Sequence, residues 1–472
     1  MNDKLVRKYA NTLARVGMNV QKGQNVMIES AIENYWFANM VMEECFKLGA
    51  HDVNISYLDM DYELIKSKYL TVDEISSVKD YERQTYKGYL YGDCVTIRLE
   101  SEYPYLLDNV NDDISHAIFK HIDDLRNIMR AYSRDKKLQW CIAIVPNQRW
   151  AEAIFPNDDK KIVLDKFWDV LFKLCLIDDE NDPLEAWKSK INRIHELGKK
   201  IDELNIKTLH YTSSNGTNLY VGLTKESKFY SEEECSGMYN LPTEEIYTTP
   251  DKYSINGHVC TTKPLLIGGK KIPYFELDFK NGKIINVKAP QGEEMLRSTI
   301  NTDAGSCYLG EVALVGYHTP ISMSGLVYYT TLIDENASCH LALGRSVSDG
   351  SCILEDGLDH FNDSSIHIDF MIGAKDTNII GITWDGKEIP IFKDGDFAMS
   401  FDNDLSIFLK AKYVLQNCLG GIFSWTSTYD QANILGRAMY LAINDTNNFE
   451  DELADIYGSV PDLPEGNVQK NI

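Results

Sequence analysis

His367 and Asp369 stand two residues apart in an otherwise apolar run, Ile366-His-Ile-Asp-Phe-Met-Ile-Gly373. On a β-strand, residues i and i+2 share a face, so an imidazole and a carboxylate would project side by side from one rigid element, a geometry that metal sites use. Three other segments set ligands of the same kind among apolar neighbours, where an unpaired charge is costly and demands a partner. Leu309-Gly-Glu311-Val-Ala-Leu-Val315 carries one carboxylate, for which an outward-facing position on an amphipathic strand is the plainer account. Asp334-Glu-Asn-Ala-Ser-Cys-His340-Leu-Ala-Leu-Gly344 carries an imidazole that a satisfied core histidine would explain equally well. In Asn240-Leu-Pro-Thr-Glu244-Glu245-Ile-Tyr247 the consecutive carboxylates point to opposite faces of a strand, so one can reach inward while the other faces away. Alone, such a pair is a weak signal.

Taken together, Glu245, Glu311, His340, His367 and Asp369 form a nitrogen and oxygen set suited to Zn²⁺, Co²⁺ or Mn²⁺. Five ligands exceed what one catalytic zinc takes, so two divalent ions sharing a bridging carboxylate are expected. Between them the ions would activate a water, and a carboxylate outside the ligand set would take its proton; Glu244, beside Glu245, is the candidate catalytic base. The other histidines (His51, His116, His121, His195, His210, His258, His318 and His360) fall mostly on charged helical or loop stretches and read as surface groups.

The elements that must position this set divide along the chain. From Lys4 to about Pro183 amphipathic helices alternate with short apolar strands: a helix over 4–16, a strand over 25–29, a helix over 34–48, a strand over 52–57, then a strand over 140–145 and a helix over 148–154. That alternation predicts a mostly parallel α/β sheet. A charged helix over 183–204 marks the boundary. Beyond it, turn signals (Ser214-Asn-Gly216, Asn256-Gly257, Gly268-Gly269, Asn281-Gly282, Asp385-Gly386) punctuate alternating apolar stretches and predict a strand-rich α+β domain. The expected organisation is an N-terminal α/β domain over 1–190, a metal-binding catalytic domain over 191–399 and an appended helix-strand tail over 400–472.

At 472 residues the chain exceeds one ordinary core. Its net charge of -24 would repel nucleic acid and anionic lipid, so neither is an expected partner. The N-terminus reads as a charged helix start without an apolar signal core, and no stretch approaches the ~18 apolar residues of a membrane span, which makes the cytoplasm the expected location. The 10 cysteines are scattered without a C-x-x-C pair and read as buried thiols of a reducing compartment; Cys339, although it abuts His340, reads as packing.

The ordered motifs Arg15-Val-Gly-Met-Asn-Val-Gln-Lys-Gly-Gln24, Asn215-Gly-Thr-Asn-Leu-Tyr-Val221, Asn240-Leu-Pro-Thr-Glu-Glu245, Leu309-Gly-Glu-Val-Ala-Leu-Val315, Asn336-Ala-Ser-Cys-His-Leu-Ala-Leu-Gly344 and His367-Ile-Asp-Phe-Met-Ile-Gly373 resemble those of the M29 family of metalloaminopeptidases over roughly residues 1–399. The resemblance implies a homodimer enclosing a cavity, release of N-terminal residues from peptide substrates, and metal ligands at Glu245, Glu311, His340, His367 and Asp369. Two departures accompany it. The family pattern H-L-A-L-G-x-A-Y ends in a tyrosine expected at the metals, whereas here the position is Val347 and no tyrosine occurs between Tyr329 and Tyr413. That leaves a metal-binding pseudoenzyme or peptide-binding scaffold as the alternative reading. The tail also lies beyond the family pattern; Ser406 to Trp425 resembles the last helix-strand unit of a glycoside hydrolase family 18 barrel, and one unit cannot close a barrel.

Overall fold

The computed structural model describes residues 2–136, 138–231, 240–267, 270–347, 360–393 and 396–397, with isolated helical positions between 408 and 453. The chain divides into two compact units, Met1–Asp396 and Phe397–Ile472. The tail's resemblance to a barrel fragment falls outside the described residues apart from those isolated positions.

The first unit opens as the alternation predicts. Its first sheet is parallel, in the order Asp52–Leu58, Asn25–Ala31, Cys94–Glu100, Trp140–Ile144, Asn240–Leu241. Every residue of Asn25–Ala31 is buried, as a central parallel strand covered on both faces requires. The first helix, Asp3–Thr12, is capped by Asn2, whose side chain accepts from the Lys4 amide, and it runs on into a π-helical turn at Leu13–Gly17. Several elements escaped the periodicity, among them the strand Cys94–Glu100, the 25-residue helix Asp112–Lys136 and the helices Asp80–Tyr89 and Val163–Leu174. The expected boundary at 190/191 falls inside the continuous helix Pro183–Glu203, and Asn240–Leu241 returns the chain to the first sheet.

Among the described residues the strand-rich part holds a two-stranded sheet, Leu265–Ile267 with Lys270–Ile272, and two larger antiparallel sheets. One runs Lys283–Lys288, Glu276–Lys280, Ile255–Cys260, Asn218–Gly222, Ile206–Thr212, Asn378–Thr383, Glu388–Lys393. Asn256-Gly257, read as a turn, lies inside one of these strands: Gly257 has φ +123°, and a Cβ there would sit 2.2 Å from the Asn218 carbonyl oxygen. The glycine permits close backbone approach rather than reversal. The Gly268-Gly269 signal lies outside the described residues. The second sheet, His367–Met371, His340–Gly344, Leu309–Val315, Glu245–Thr248, carries all the candidate metal ligands.

Candidate metal centre

Each strand of the four-stranded sheet contributes to one cluster. Antiparallel register sets Ala342 between Glu311 and Asp369, Ala313 opposite His340, and Val315 opposite Glu245. The small or aliphatic partners leave the charged side chains to meet one another. The register slips between Leu309 and Glu311. A bulge of this kind re-aims a side chain, and it requires glycine: a Cβ on Gly310 would lie 2.2 Å from the Arg345 carbonyl oxygen.

Two groups result, Glu245-Glu311-His340 and Glu311-His367-Asp369, each with its ligand atoms within 4.8 Å of one another. Glu311 belongs to both. Its Oε1 lies 4.0 Å from His340 Nε2, while its Oε2 lies 3.0 Å from His367 Nε2. Glu245 Oε2 is 3.0 Å from His340 Nε2, and Asp369 Oδ1 is 3.4 Å from His367 Nε2. All are buried except His367, which is half-buried.

The rings are oriented for ligation. His340 Nδ1 is 3.2 Å from the Ser338 carbonyl and His367 Nδ1 is 2.7 Å from the Arg345 carbonyl. A carbonyl only accepts, so each Nδ1 carries a proton and each Nε2 faces the carboxylates. In a neutral imidazole that Nε2 is a lone pair, and a lone pair held 3.0 Å from a carboxylate oxygen is repulsive unless a cation sits between them. Glu245 Oε2 and Asp369 Oδ1 are buried without a hydrogen-bond donor. This donor set fits divalent metal ions of the borderline class.

Without metal, protons must fill the role. Burial alone would pull His340 down, but Glu245, then Asp369 and Glu311, push it up to about 9. His367 is likewise raised well above its ordinary value against burial, chiefly by Asp369. Burial pushes Glu311 up to about 7, assisted by Asp369 and Glu245. A group whose folded pKa is raised contributes stability below its unfolded pKa and loses it as pH rises through the folded one. Chelator-treated protein is therefore expected to lose thermal stability between about pH 4.3, an unfolded glutamate's value, and the His340 value of about 9. Metal-loaded protein should lack that slope. Melting curves across this range with and without chelator check it, and parallel profiles would contradict the proton-for-metal exchange.

The model of the thermophilic metalloprotease (M29) family matches residues 2–397. This chain belongs to the M29 family. Aminopeptidase AmpS of Bacillus subtilis (strain 168) is 33% identical over 401 residues, 83% of this chain and 97% of that protein. Aminopeptidase PepS of Streptococcus thermophilus is 33% identical, covering 84% of this chain and 98% of that protein. The solved structure of wild-type AmpT from Thermus thermophilus superposes with a TM-score of 0.75 at 26% identity, over 84% of this chain and all of that one. The M29 chain is thus a peptide hydrolase of a metal-dependent class, built on the fold that AmpT shows.

Glu244 is the candidate the structure does not bring to the cluster. It lies just ahead of the strand Glu245–Thr248 and its side chain meets Lys190 of the helix Pro183–Glu203, with Oε1 2.5 Å from Nζ and both side chains buried. Its amide donates to Asn336 Oδ1 at 2.6 Å. Glu244 ties that helix to the segment preceding His340, and it is in neither of the two ligand groups. Lys190→Met should leave Glu244 buried and uncompensated, costing about 3–5 kcal/mol of unfolding free energy, while Lys190→Met with Glu244→Leu recovers most of it. Denaturant melts of both variants check this.

The residue that sequence reading passed over is Glu335. It lies in the 3₁₀ turn Glu335–Ala337, which packs against the strand bearing His367 and Asp369. Burial first, then Asp369, Glu245 and Glu311, raise its carboxyl well above the usual range. Its Oε1 accepts from Asn240 Nδ2 at 3.3 Å and Asn336 Nδ2 at 3.4 Å. The usable signal was the acidic pair Asp334-Glu335 in front of an apolar run. Asp334 caps local backbone, taking the Tyr328 amide at 2.9 Å, which leaves Glu335 as the member beside the cluster.

Cys339 behaves as packing: its thiol donates to the Val315 carbonyl at 3.4 Å, and burial pushes it up to about 12. Val347 is half-buried at a bend past the strand His340–Gly344. The approach to His367 is fixed by Asn362, which donates to the carbonyls of Gly344 and Gly305, and by Asp303, which accepts from Ser364 and Ser365. No described helix is long and apolar enough to cross a membrane.

Proposed function

We propose that this chain is a metal-dependent aminopeptidase with a dinuclear centre, in which Glu245 and His340 hold one ion, His367 and Asp369 the other, and Glu311 both. The observation that carries the reading is the division of the Glu311 carboxylate, one oxygen toward each histidine. When bound, the two ions supply Lewis acidity for the scissile carbonyl and lower the pKa of a water toward neutrality. The chain's own part is orientation and proton handling. The carbonyls of Ser338 and Arg345 lock both imidazoles with Nε2 inward. Glu335, with Oε1 held by two amides, offers Oε2 to take the nucleophile's proton and return it to the leaving amine. Glu335 replaces Glu244 in that role because Glu244 is committed to Lys190. Burial is the first cause that holds a proton on Glu335; Asp369, Glu245 and Glu311 add to it, and two cations would offset that added part, which favours Glu335 as a base.

A homodimer working in the cytoplasm on peptides completes the reading, supported by the family likeness. The competing reading, a metal-binding scaffold with little turnover, is favoured by Val347 at the expected tyrosine position. One assay separates them: purified protein with added Co²⁺ or Zn²⁺, leucyl and other aminoacyl anilides as substrates, and chelator as control. Hydrolysis that disappears with chelator and returns with metal supports the aminopeptidase. Two ions per chain with no hydrolysis under any metal sinks it in favour of the scaffold.

A further inference from the structure

The metal cluster leaves unused a crevice at the C-terminal edge of the parallel sheet. The first four strands of that sheet lie in the order 2-1-3-4, so the topological switch falls between Asn25–Ala31 and Cys94–Glu100. In open α/β sheets of this order, ligands bind outside the carboxyl ends of the strands at that point. A cavity of ≈190 Å³ opens there, enough for roughly six waters, bounded by the ends of both strands and by Thr330 and Thr331. One wall is apolar, with Met60, Leu107 and Ile122. The other end is charged but incompletely paired. Arg126 is 2.8 Å from Glu29, and Arg98 is 2.6 Å from Glu100. Glu102, half-buried, has no cationic partner at ion-pair distance among the described residues; burial and then Glu100 push its carboxyl up to about 8, with Arg126, Arg98 and a Thr330 hydrogen bond acting the other way.

The cavity adjoins the cluster. Thr330 stands at the N-cap of the helix Thr331–Asp334, which Glu335 follows, and beyond burial the Glu335 carboxyl feels both Asp369, Glu245 and Glu311 of the cluster and Glu100 of the cavity lining. One helical turn, about 5.4 Å, separates the cavity lining from the residue beside the metals. At the charged end three carboxylates, Glu29, Glu100 and Glu102, meet two guanidiniums, Arg98 and Arg126, and this excess of one carboxylate beside an apolar wall matches a side chain with an apolar stem and a cationic head. We propose that this cavity receives the side chain of the substrate's N-terminal residue and that Glu102 selects a basic one, lysine or arginine. The proposal rests on the aminopeptidase reading above.

Lysinamide and norleucinamide share the stem and differ in the ammonium. Calorimetric titration of the metal-loaded wild-type protein should find lysinamide bound on the order of 30-fold more tightly, and Glu102→Gln should bring that preference close to one. The kcat/KM ratio of lysyl to norleucyl anilides should move in parallel. A wild-type ratio near one in both measurements, or a ratio that Glu102→Gln leaves unmoved, overturns the proposal. If no anilide is hydrolysed and lysinamide still binds in a Glu102-dependent way, the basic pocket stands and the aminopeptidase reading falls.

Discussion

Glu311→Ala is expected to reduce bound metal from two ions per chain to at most one and to lower kcat/KM on aminoacyl anilides by roughly 10⁴-fold or more, the scale of dismantling a catalytic unit rather than trimming one donor. Glu311 is the one carboxylate that both ligand groups share. Removing it leaves His340 with Glu245, and His367 with Asp369, each pair short of the three protein ligands that catalytic sites use. The direction of the stability change discriminates further. A buried structural glutamate would cost stability when replaced, but Glu311 sits among Asp369 and Glu245, and burial already pushes its carboxyl up to about 7. Glu311→Gln should therefore melt higher than the wild type when both are stripped of metal at pH 8, and lower when both are metal-loaded, because stabilisation by metal requires the intact site. Elemental analysis, anilide kinetics and paired melting curves check the three parts. Retention of two ions with wild-type turnover would remove Glu311 from its bridging role.

The site was legible where period-2 alternation could be applied and obscure where contacts cross between distant segments. His367 and Asp369 share a face because one strand carries both, a fact of local geometry available from spacing alone. Glu311 was ambiguous, since a lone carboxylate in Leu309–Val315 also fits an outward-facing position; what settles its direction is the bulge at Gly310, imposed by the close approach of Gly344 and Arg345. No local pattern reports that contact. The same limit explains the Glu244 and Glu335 exchange. The strand begins only at Glu245, so alternation does not reach Glu244, and the packing of Pro183–Glu203 decides that Lys190 meets it. Glu335 escaped notice because a 3₁₀ turn has no strand periodicity, and its burial depends on Asn240 arriving from the edge of the parallel sheet.

The α/β half was read from periodicity almost to the residue at Tyr35–Lys47, Asp52–Leu58 and Gln148–Ile154. Asp112–Lys136 was missed although its charged face should betray it, because no glycine or proline stands between Pro104 and Pro146 to frame it. Organisation into domains was harder, as a helix that looks like a linker in sequence serves as a packed wall: Trp187, Ile191 and Ile194 are buried, and the helix bears the Lys190 that anchors Glu244.

Val347→Tyr is the variant that separates the two functional readings, with an expected rise in kcat of ~10²- to 10³-fold, the usual worth of one preorganised donor to a transition state. The position follows His340-Leu-Ala-Leu-Gly344-Arg-Ser, where the family likeness calls for a phenol. Val347 is half-buried at a bend rather than locked in the strand, so a larger ring can be accommodated at a cost of about 1–3 kcal/mol at most. Val347→Phe supplies the ring without the hydroxyl and should gain nothing. If the tyrosine variant alone gains, with metal content unchanged in all three proteins, the missing donor acts on the transition state and the wild type is an aminopeptidase working at a fraction of what its metal set allows. If neither variant gains while the wild type turns over anilides at an ordinary rate, another group already fills the place of the phenol; Glu335, protonated on Oε2 after taking the water's proton, is the donor nearest in chemistry, and Glu335→Gln should then abolish the activity that Val347→Tyr failed to improve.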